Sequence, residues 1–405
     1  MKKALNSLLG YIVIAIVLGI LVGYVSPDWL SRIFSTFSSL FASFLTFIIP
    51  LIIIGLITPA IAEFGKGAGK WLGITALIAY SSTVLAGLYA IAAGYLTFPW
   101  LLGGDSTLED VADPSASFEP FFTLEIPPVF SVMTALIVSF VVGLGIISVR
   151  ATTISSAFVE LRGIVNVVIS RVIVPLLPPY IFCIFANMTS AGAIGKIIVQ
   201  MLGIVILAFV LTVLMLIAQY TVAGLVAGRN PFSMLVKMLP AYATALGTSS
   251  SAATIPVTVR SAEAAGVSKP VAAFVIPLCA TIHLAGSTVK IVLFGFAILW
   301  ATGGDIQLSA LIGFVLLLGI AMIAAPGVPG GAIVTASALL QEQLGFTEAQ
   351  VGLMVATYVA LDSFGTATNV TGDGAIATIV DKLSGGRLGA KNVDGEGIDA
   401  EPVPA

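Results

Sequence analysis

The sequence is poor in charged residues, cysteine and histidine. Only 9% of its 405 residues are Asp, Glu, Lys or Arg, against roughly 25% in an average soluble domain. The net charge of −3 is too small to indicate a nucleic-acid partner. The two cysteines, Cys183 and Cys279, lie in apolar segments without a CxxC motif, so neither a disulfide framework nor a cysteine-based metal centre is expected.

Apolar residues dominate instead. They make up 58% of the chain and recur in runs that reach the roughly 20 residues needed to span a bilayer. The first run is long and lacks an A-x-A cleavage site, so it is expected to be a transmembrane helix and not a signal peptide. Full spans are predicted at 8–25, 38–62, 70–99, 129–149, 163–188, 194–227, 268–301 and 347–382.

Two further apolar segments, 231–262 and 307–342, are interrupted by Gly, Pro, Ser and Thr. If both are re-entrant hairpins, the Lys and Arg residues in the loops lie almost entirely on one side of the membrane. Only Arg32 and Lys196 lie on the other side. The positive-inside rule then predicts that both termini are cytoplasmic. The two hairpins enter from opposite faces of the membrane, and each is followed by a full helix. This arrangement is an inverted repeat, which in transporters marks a substrate site near the membrane midplane.

The hairpins carry distinctive sequences. Residues 247–256 read GTSSSAATIP, and residues 325–332 read APGVPGGA. Hydroxyls and free backbone N–H groups at a hairpin tip suit a carboxylate, and the alternative is helix-packing serines. Two prolines and three glycines exclude a straight helix in the second segment. A tight turn that acts as a lid is predicted there, with a simple kink as the alternative.

The last predicted helix carries a polar stripe of Asp362, Thr366, Asn369 and Asp373, whose spacings of 4, 3 and 4 place them on one face. Intramembrane acids cost roughly 2.5–3.5 kcal/mol each on insertion scales. With no evident basic partners, these oxygens are expected to bind a hard cation or a substrate ammonium. The alternative is an interhelical hydrogen-bond network.

The helix over 268–301 contains CATIHLAGSTVK at 279–290. Gly286 can unwind it and free backbone carbonyls. His283 is the only histidine, and it is either functional or a hydrogen-bonded core residue. Lys290 lies mid-helix, too deep for easy snorkelling, and a buried lysine needs a partner or an altered protonation state. It is therefore predicted to be functional.

Two other function classes are weaker. An intramembrane aspartyl protease needs two facing carboxylates, whereas Asp362 and Asp373 lie roughly 16 Å apart along one helix. A channel needs a continuous polar pore, whereas the polar residues cluster in four motifs.

These motifs, in their order and spacing, are similar to those of the dicarboxylate/amino acid:cation symporters, the glutamate transporter family. The motifs are GTSSSAATIP, CATIHLAGS, GVPGGA and LDSFGTATNVTGD. The resemblance covers the chain before its tail. It implies an all-α membrane protein with eight transmembrane helices, two re-entrant hairpins and inverted repeats, which assembles as a homotrimer and works as an elevator.

The resemblance also implies a division of the chain. The scaffold comprises 1–69 (helices one and two) and 129–190 (helices four and five). The transport domain comprises 70–99 (helix three) and 191–384 (helix six, the first hairpin, helix seven, the second hairpin and helix eight). An extracellular loop at 100–128 and a disordered cytoplasmic tail at 385–405 complete the expected arrangement.

Carried over by position, the resemblance places the substrate α-carboxylate on Ser250, Ser251 and Asn369 and the α-amino group on Asp362. The expected substrate site comprises Ser250, Ser251, Ser287, Lys290, Val328, Ala332, Asp362, Gly365, Thr366 and Asn369. The expected Na⁺ positions are Cys279, Thr281, His283, Asn369 and Asp373.

The sequence departs from the family pattern at several of these positions. His283 replaces an asparagine that ligates sodium, Ala285 replaces the aspartate of a further sodium site, and Gly365 replaces the arginine that pairs with acidic substrates. Gly365 is expected to open room for Lys290. That lysine then either binds a substrate carboxylate or neutralises Asp362 or Asp373, and in the second case Lys290 or His283 carries a coupled proton.

The expected function is a secondary symporter, not an enzyme, in the plasma (inner) membrane. It moves glutamate, aspartate or a related dicarboxylate with Na⁺. The alternative is a small neutral amino acid such as serine, threonine or alanine, with altered or proton coupling. The expected partners are the solute, the lipid bilayer and further copies of the chain, with no nucleic acid.

Overall fold

The computed structural model describes residues 8–65, 70–102, 118–192, 194–303, 306–323, 325 and 330–386. Helices account for nearly all of these residues, and no strand occurs among them. The all-helical prediction is therefore confirmed for the described part of the chain.

Seven α-helices precede the first predicted hairpin, and a π-helical turn at Ile169–Ile173 joins the fifth to the sixth. Their bounds are α1 Leu8–Gly23, α2 Asp28–Gly65, α3 Lys70–Leu101, α4 Val132–Val149, α5 Thr152–Val168, α6 Val174–Ser190 and α7 Ile194–Ala227.

Nine further described helices follow, because the hairpins and two of the predicted full helices are broken. Their bounds are α8 Pro231–Lys237, α9 Leu239–Thr248, α10 Ser251–Ala264, α11 Lys269–Ile282, α12 Ala285–Ala301, α13 Leu308–Ile323, α14 Gly331–Leu344, α15 Glu348–Ala360 and α16 Asp362–Ser384.

Six helical segments among the described residues are long and apolar enough to cross a membrane. The pair α15 and α16 forms a seventh candidate with a bend of 62°. These lengths confirm a multi-pass membrane protein. An eighth span requires the shorter α1 to cross as well, so the count of eight stays a prediction. The six segments are 28–62, 70–101, 132–149, 152–190, 201–227 and 269–301.

The prediction of one continuous helix over 347–382 is wrong at Leu361, where φ is −115° and ψ is 9°. Neither proline nor glycine occurs at the break. Instead the Lys290 ammonium donates to the Leu361 carbonyl oxygen over 2.8 Å. A contact from another helix thus satisfies a carbonyl that regular α-helix would otherwise have used.

The helix predicted over 268–301 is also interrupted. The break falls at His283 and Leu284, both with extended φ values near −109° and −118°. This is two residues before Gly286, the residue expected to unwind the helix. Gly286 serves close packing instead, because a Cβ at this position would lie 2.6 Å from the Thr368 Cβ.

The helices pack in two groups. In the first, α2 contacts α4, α5 and α6, and α1 packs along α6. In the second, α16 lies among α7, α9, α11 and α12, while α3 packs along α12. The second hairpin and the helix after it contact the first group, because α14 packs against α2 and α15 packs against α1 and α6. The second group surrounds the polar stripe of α16.

Close packing of α3 on α12 depends on Gly94. A Cβ there would lie 2.5 Å from Phe296 Cδ1, and that ring is held by Tyr95 and Phe98 at centroid distances of 4.8 and 5.0 Å. The ring therefore has little room to move aside.

We expect Gly94→Ala to lower the thermal unfolding temperature in detergent, since overpacking costs about 1–3 kcal/mol. Gly73→Ala is the matched control in the same helix, because nothing lies within 4 Å of a Cβ there. It should leave stability unchanged or raise it by up to about 1 kcal/mol. Equal unfolding temperatures for the two variants would contradict the packing of α3 on α12.

Candidate functional site

The tip of the first hairpin turns within two residues. Ser249 ends α9 in the left-handed conformation, with φ of 50° and ψ of 28°. The Ser250 hydroxyl then caps α10 by accepting from the Ala253 N–H over 3.3 Å. Ser251 begins α10, so the tip presents hydroxyls at the positive end of a helix, a setting that favours an anion.

This tip forms one wall of a small cavity of about 40 Å³. The other walls come from the break between α11 and α12, the start of α14 and the break between α15 and α16. The cavity is lined by Ser249, Ser251, Ala280, Thr281, Leu284, Ser287, Ala325, Ala332, Tyr358, Asp362, Thr366 and Asn369. A larger cavity of about 630 Å³ lies between α3, α7 and α16, but most residues lining it are apolar. The small cavity is where hydroxyl, amide and carboxylate groups converge, which makes it the candidate site.

Asp362 is the carboxylate of this cavity. It is the first residue of α16, where the helix dipole favours a negative charge. Its side chain is buried, and Oδ2 accepts from the Gly330 N–H over 2.8 Å. Gly330 has a φ of 77° and immediately precedes α14. Asp362 therefore ties the returning helix of the second hairpin to the break in the last helix.

Lys290 supplies an ammonium beside this carboxylate. Its side chain is only 2% exposed. Besides its bond to the Leu361 oxygen, Nζ lies 4.2 Å from the centroid of the Tyr358 ring, and Asp362 is close enough to interact with it electrostatically. A Cβ on Gly365 would collide with Nζ and would lie 3.4 Å from the Ser287 hydroxyl. The missing side chain at 365 is therefore what gives Lys290 its place.

Asn369 stabilises the start of α12. Its Oδ1 accepts from the backbone N–H groups of Gly286 and Ser287 over 2.8 and 3.2 Å. Its Nδ2 donates to the Ser287 hydroxyl over 3.0 Å. Helix-initial N–H groups have no partner within their own helix, and the amide of Asn369 satisfies two of them from α16.

His283 and Asp373 form a buried pair. His283 Nδ1 lies 2.9 Å from Asp373 Oδ1, and the two side chains are 0% and 1% exposed. The other ring nitrogen, Nε2, lies 3.0 Å from the Ser82 hydroxyl of α3. The expectation that the acids of the stripe lack basic partners is thus wrong for Asp373, which has His283. For Asp362, Lys290 interacts with it electrostatically and bonds the carbonyl of the preceding residue.

The structure brings most of the expected substrate residues together. Ser251, Ser287, Ala332, Asp362, Thr366 and Asn369 line the cavity. Gly365 and Lys290 lie beside Ser287 at its edge, the Ser250 hydroxyl is used as a helix cap, and Val328 lies outside the described residues.

The expected Na⁺ positions are more dispersed. Thr281 lines the cavity, and its hydroxyl donates to the Leu278 carbonyl. Cys279 is fully buried and does not line this cavity. Asn369, His283 and Asp373 are engaged with other protein groups as described above.

The sequence analysis assigned no site role to Tyr358 or Gln219. The Tyr358 hydroxyl faces Asp362 and Ser287 but reaches hydrogen-bond geometry with no described residue. Gln219 Nε2 donates to the Ser82 hydroxyl over 2.9 Å. The signal for Tyr358 was its position four residues before Asp362. Gln219 stands as a polar residue within an apolar helix.

Membrane-length helices around a polar cavity at helix breaks are features of a membrane transport protein. Residues 8–383 match the sodium:dicarboxylate symporter family, and the chain belongs to that family. The resemblance read from the motifs is therefore confirmed.

Several relatives are mouse transporters. Excitatory amino acid transporter 4 of Mus musculus is 34% identical over 161 residues, which are 40% of this chain and 28% of that protein. Excitatory amino acid transporter 2 of Mus musculus is 28% identical over 258 residues, 62% of this chain and 45% of that protein. Excitatory amino acid transporter 3 of Mus musculus is 35% identical over 173 residues, 42% of this chain and 33% of that protein.

The chain spans less than half the length of each of these relatives. The family is one of symporters, and these relatives are transporters and not enzymes. The family also implies a small-molecule substrate and sodium coupling.

The contact between Gly365 and Lys290 predicts a specific rescue. Gly365→Ala should lower thermal stability by about 1–3 kcal/mol, because the methyl group displaces the buried ammonium. In a Lys290→Met background the same substitution should cost less, with a coupling of about 0.5–3 kcal/mol. Unfolding of the four proteins in detergent measures this. Gly313→Ala, where nothing lies within 4 Å of a Cβ, is the control. Additive effects of the two substitutions would contradict the contact.

Proposed function

We propose that this chain is a secondary symporter that moves an acidic amino acid, such as glutamate or aspartate, or a related dicarboxylate, together with Na⁺. The observation that carries the proposal is the cavity that joins Asp362 to the serines of the first hairpin, with the Lys290 ammonium at its edge. Such a site offers one negative group, one anion-binding helix terminus and one positive group.

These three groups match the three charges of an acidic amino acid. The α-carboxylate is placed at the tip that carries Ser250 and Ser251, where hydroxyls and helix-initial N–H groups converge. The α-ammonium is placed on Asp362, which exchanges its bond with Gly330 for a charge-assisted one. The Tyr358 hydroxyl, which faces Asp362 and Ser287, is a further donor or acceptor for the substrate.

The second carboxylate is assigned to Lys290. An ammonium has three N–H donors, and among the described residues only the Leu361 carbonyl takes one. The Cβ that Gly365 lacks would collide with Nζ and would lie 3.4 Å from the Ser287 hydroxyl, which itself lines the cavity. The ammonium therefore fills this position beside Ser287, and a substrate carboxylate that enters beside Ser287 is proposed to reach it there.

A second candidate is a small neutral amino acid with altered or proton coupling. The observation that favours it is the closeness of Lys290 to Asp362. If these charges neutralise one another, the cavity carries no net charge and a zwitterion such as serine, threonine or alanine fits it.

The elevator mechanism is also part of the proposal. Its support is the division of contacts into two groups, one around α2 and α6 and one around α16. The first group is proposed to be the trimeric scaffold and the second to be the moving transport domain. The second hairpin, tied to Asp362 through Gly330, is proposed to be the substrate gate. Both termini are proposed to be cytoplasmic.

Uptake of labelled glutamate and labelled serine into proteoliposomes tests the proposal, with and without an inward Na⁺ gradient. Glutamate uptake that requires the gradient is the expected result. Lys290→Met should lower glutamate uptake at least tenfold, since a lost charge-assisted bond in a buried site costs more than about 1.4 kcal/mol. Lys269→Met, an exposed lysine at the start of α11, is the control and should be unaffected. Serine uptake by the unaltered protein, or indifference to Na⁺, would favour the second candidate.

A further inference from the structure

A cluster of four polar side chains lies behind the substrate cavity, where α3, α7, α16 and the break between α11 and α12 meet. His283 bonds Asp373 through Nδ1 over 2.9 Å and Ser82 through Nε2 over 3.0 Å. Gln219 donates to the same Ser82 hydroxyl over 2.9 Å. Both ring nitrogens of the histidine therefore have protein partners.

We assign His283 as a neutral imidazole with its proton on Nδ1, because an ionised Asp373 carboxylate only accepts. In that tautomer the Gln219 amide donates to the Ser82 oxygen, the Ser82 hydroxyl donates to Nε2 of His283, and Nδ1–H donates to Asp373. A buried carboxylate is costly unless it is paired and hydrogen-bonded. Here a side chain of the same protein supplies the pairing.

This geometry does not fit the Na⁺ that the family resemblance places among His283, Asn369 and Asp373. Hard cations are held by several oxygen atoms. At Asp373 Oδ1 the approach is taken by an imidazole N–H. The Asn369 oxygen already accepts from two backbone N–H groups. Within the cluster, Asp373 Oδ2 and Gln219 Oε1 are the two oxygen atoms without a partner among the described residues, fewer than a hard cation requires.

The cluster is closely packed around Gly372, while Ser82 and Gln219 also line the larger, mostly apolar cavity between α3, α7 and α16. A Cβ on Gly372 would lie 2.8 Å from both Gln219 Oε1 and His283 Cε1. Among the described residues, no group of three or more His, Cys, Asp or Glu side chains is arranged to hold a metal ion. The cluster therefore offers too few free oxygen atoms to hold a hard cation, which is bound by several.

We propose that the His283 side chain takes the place of one coupling cation beside Asp373. The position binds no Na⁺, and the chain carries fewer Na⁺ ions with each substrate than it would with an oxygen ligand at residue 283. This inference rests on the proposed sodium-coupled symport and concerns one ion position only. Any remaining Na⁺ binds elsewhere, and the helix-terminal carbonyls near Thr281 are the candidate position.

The test is Na⁺-dependent thermal stabilisation of the purified full-length chain without substrate, with choline chloride replacing NaCl at constant ionic strength. A ligand that binds only the folded state raises Tm in a saturable way. His283→Asn supplies a carbonyl oxygen and removes the ring. With increasing Na⁺, the Tm of this variant should rise in a saturable way, by a few degrees more than the Tm of the unaltered protein rises. In proteoliposomes its Na⁺ Hill coefficient should rise by up to about one.

Asp373→Asn separates this gain from a general loss of folding. In the unaltered background it should leave the Na⁺ concentration for half-maximal stabilisation unchanged, because Asp373 holds no Na⁺ there. In the His283→Asn background it should abolish the gain. Gln307→Asn, at an exposed position outside the cluster, is the control for an amide substitution.

Two results would overturn the inference. One is an Na⁺ response that is the same in His283→Asn and in the unaltered protein. The other is weaker Na⁺ stabilisation in Asp373→Asn alone, which would make Asp373 a sodium ligand in the native site. If the unaltered protein shows neither Na⁺-dependent uptake nor Na⁺ stabilisation, the proposed sodium coupling fails. A gain in His283→Asn would still support the replacement.

Discussion

The rest of the site depends on the reciprocal hydrogen bonds by which side chains of α12 and α16 satisfy the backbone groups at each other's helix breaks. Each helix break exposes backbone groups that a continuous helix would have satisfied, and inside a membrane protein water cannot replace them. Asn369 of α16 satisfies N–H groups at the start of α12, and Lys290 of α12 satisfies the carbonyl that precedes α16. The two breaks are therefore stabilised by each other's side chains, and the cavity is the space where they meet.

The pairing of the buried charged side chains follows from the same lack of water inside the protein. An unpaired carboxylate or ammonium at this depth would be expensive, and the chain places His283 beside Asp373 and Lys290 near Asp362. The first pair is closed, because the hydrogen bond is direct and the other ring nitrogen is also occupied. The second is open, because Lys290 has spare donors and Asp362 accepts from a backbone N–H of the second hairpin. This difference separates a structural pair from a pair that can admit a charged substrate.

Much of this arrangement follows from local patterns in the sequence. Apolar runs predict the spans, and the tip at Ser249 to Ser251 follows from its cluster of hydroxyls between helices. The stripe of Asp362, Thr366 and Asn369 follows from helical spacing and does line the cavity. The break at Leu361 could not be predicted, because no proline or glycine marks it and the stabilising contact comes from Lys290, 71 positions earlier. The partners of His283 were missed for the same reason, since Ser82 and Gln219 lie on other helices and look locally like ordinary helix-packing residues.

The space at Gly365 links these observations to selectivity. In the family pattern an arginine at this position supplies the positive charge. Glycine at this position leaves room for the ammonium of Lys290, which belongs to α12. The positive group thus reaches the cavity from a different helix, and its position depends on both breaks being intact. Substitutions that disturb the reciprocal hydrogen bonds between α12 and α16 are therefore expected to affect substrate selectivity and stability together.

The most direct measurement is an experimental structure of the chain with L-aspartate bound in the presence of Na⁺. The account predicts that the side-chain carboxylate lies about 2.7–2.9 Å from Lys290 Nζ, the range of a charge-assisted hydrogen bond, with the substrate ammonium on Asp362. A bound aspartate whose side chain points away from Lys290, with Nζ still bonded only to the Leu361 carbonyl, would contradict it.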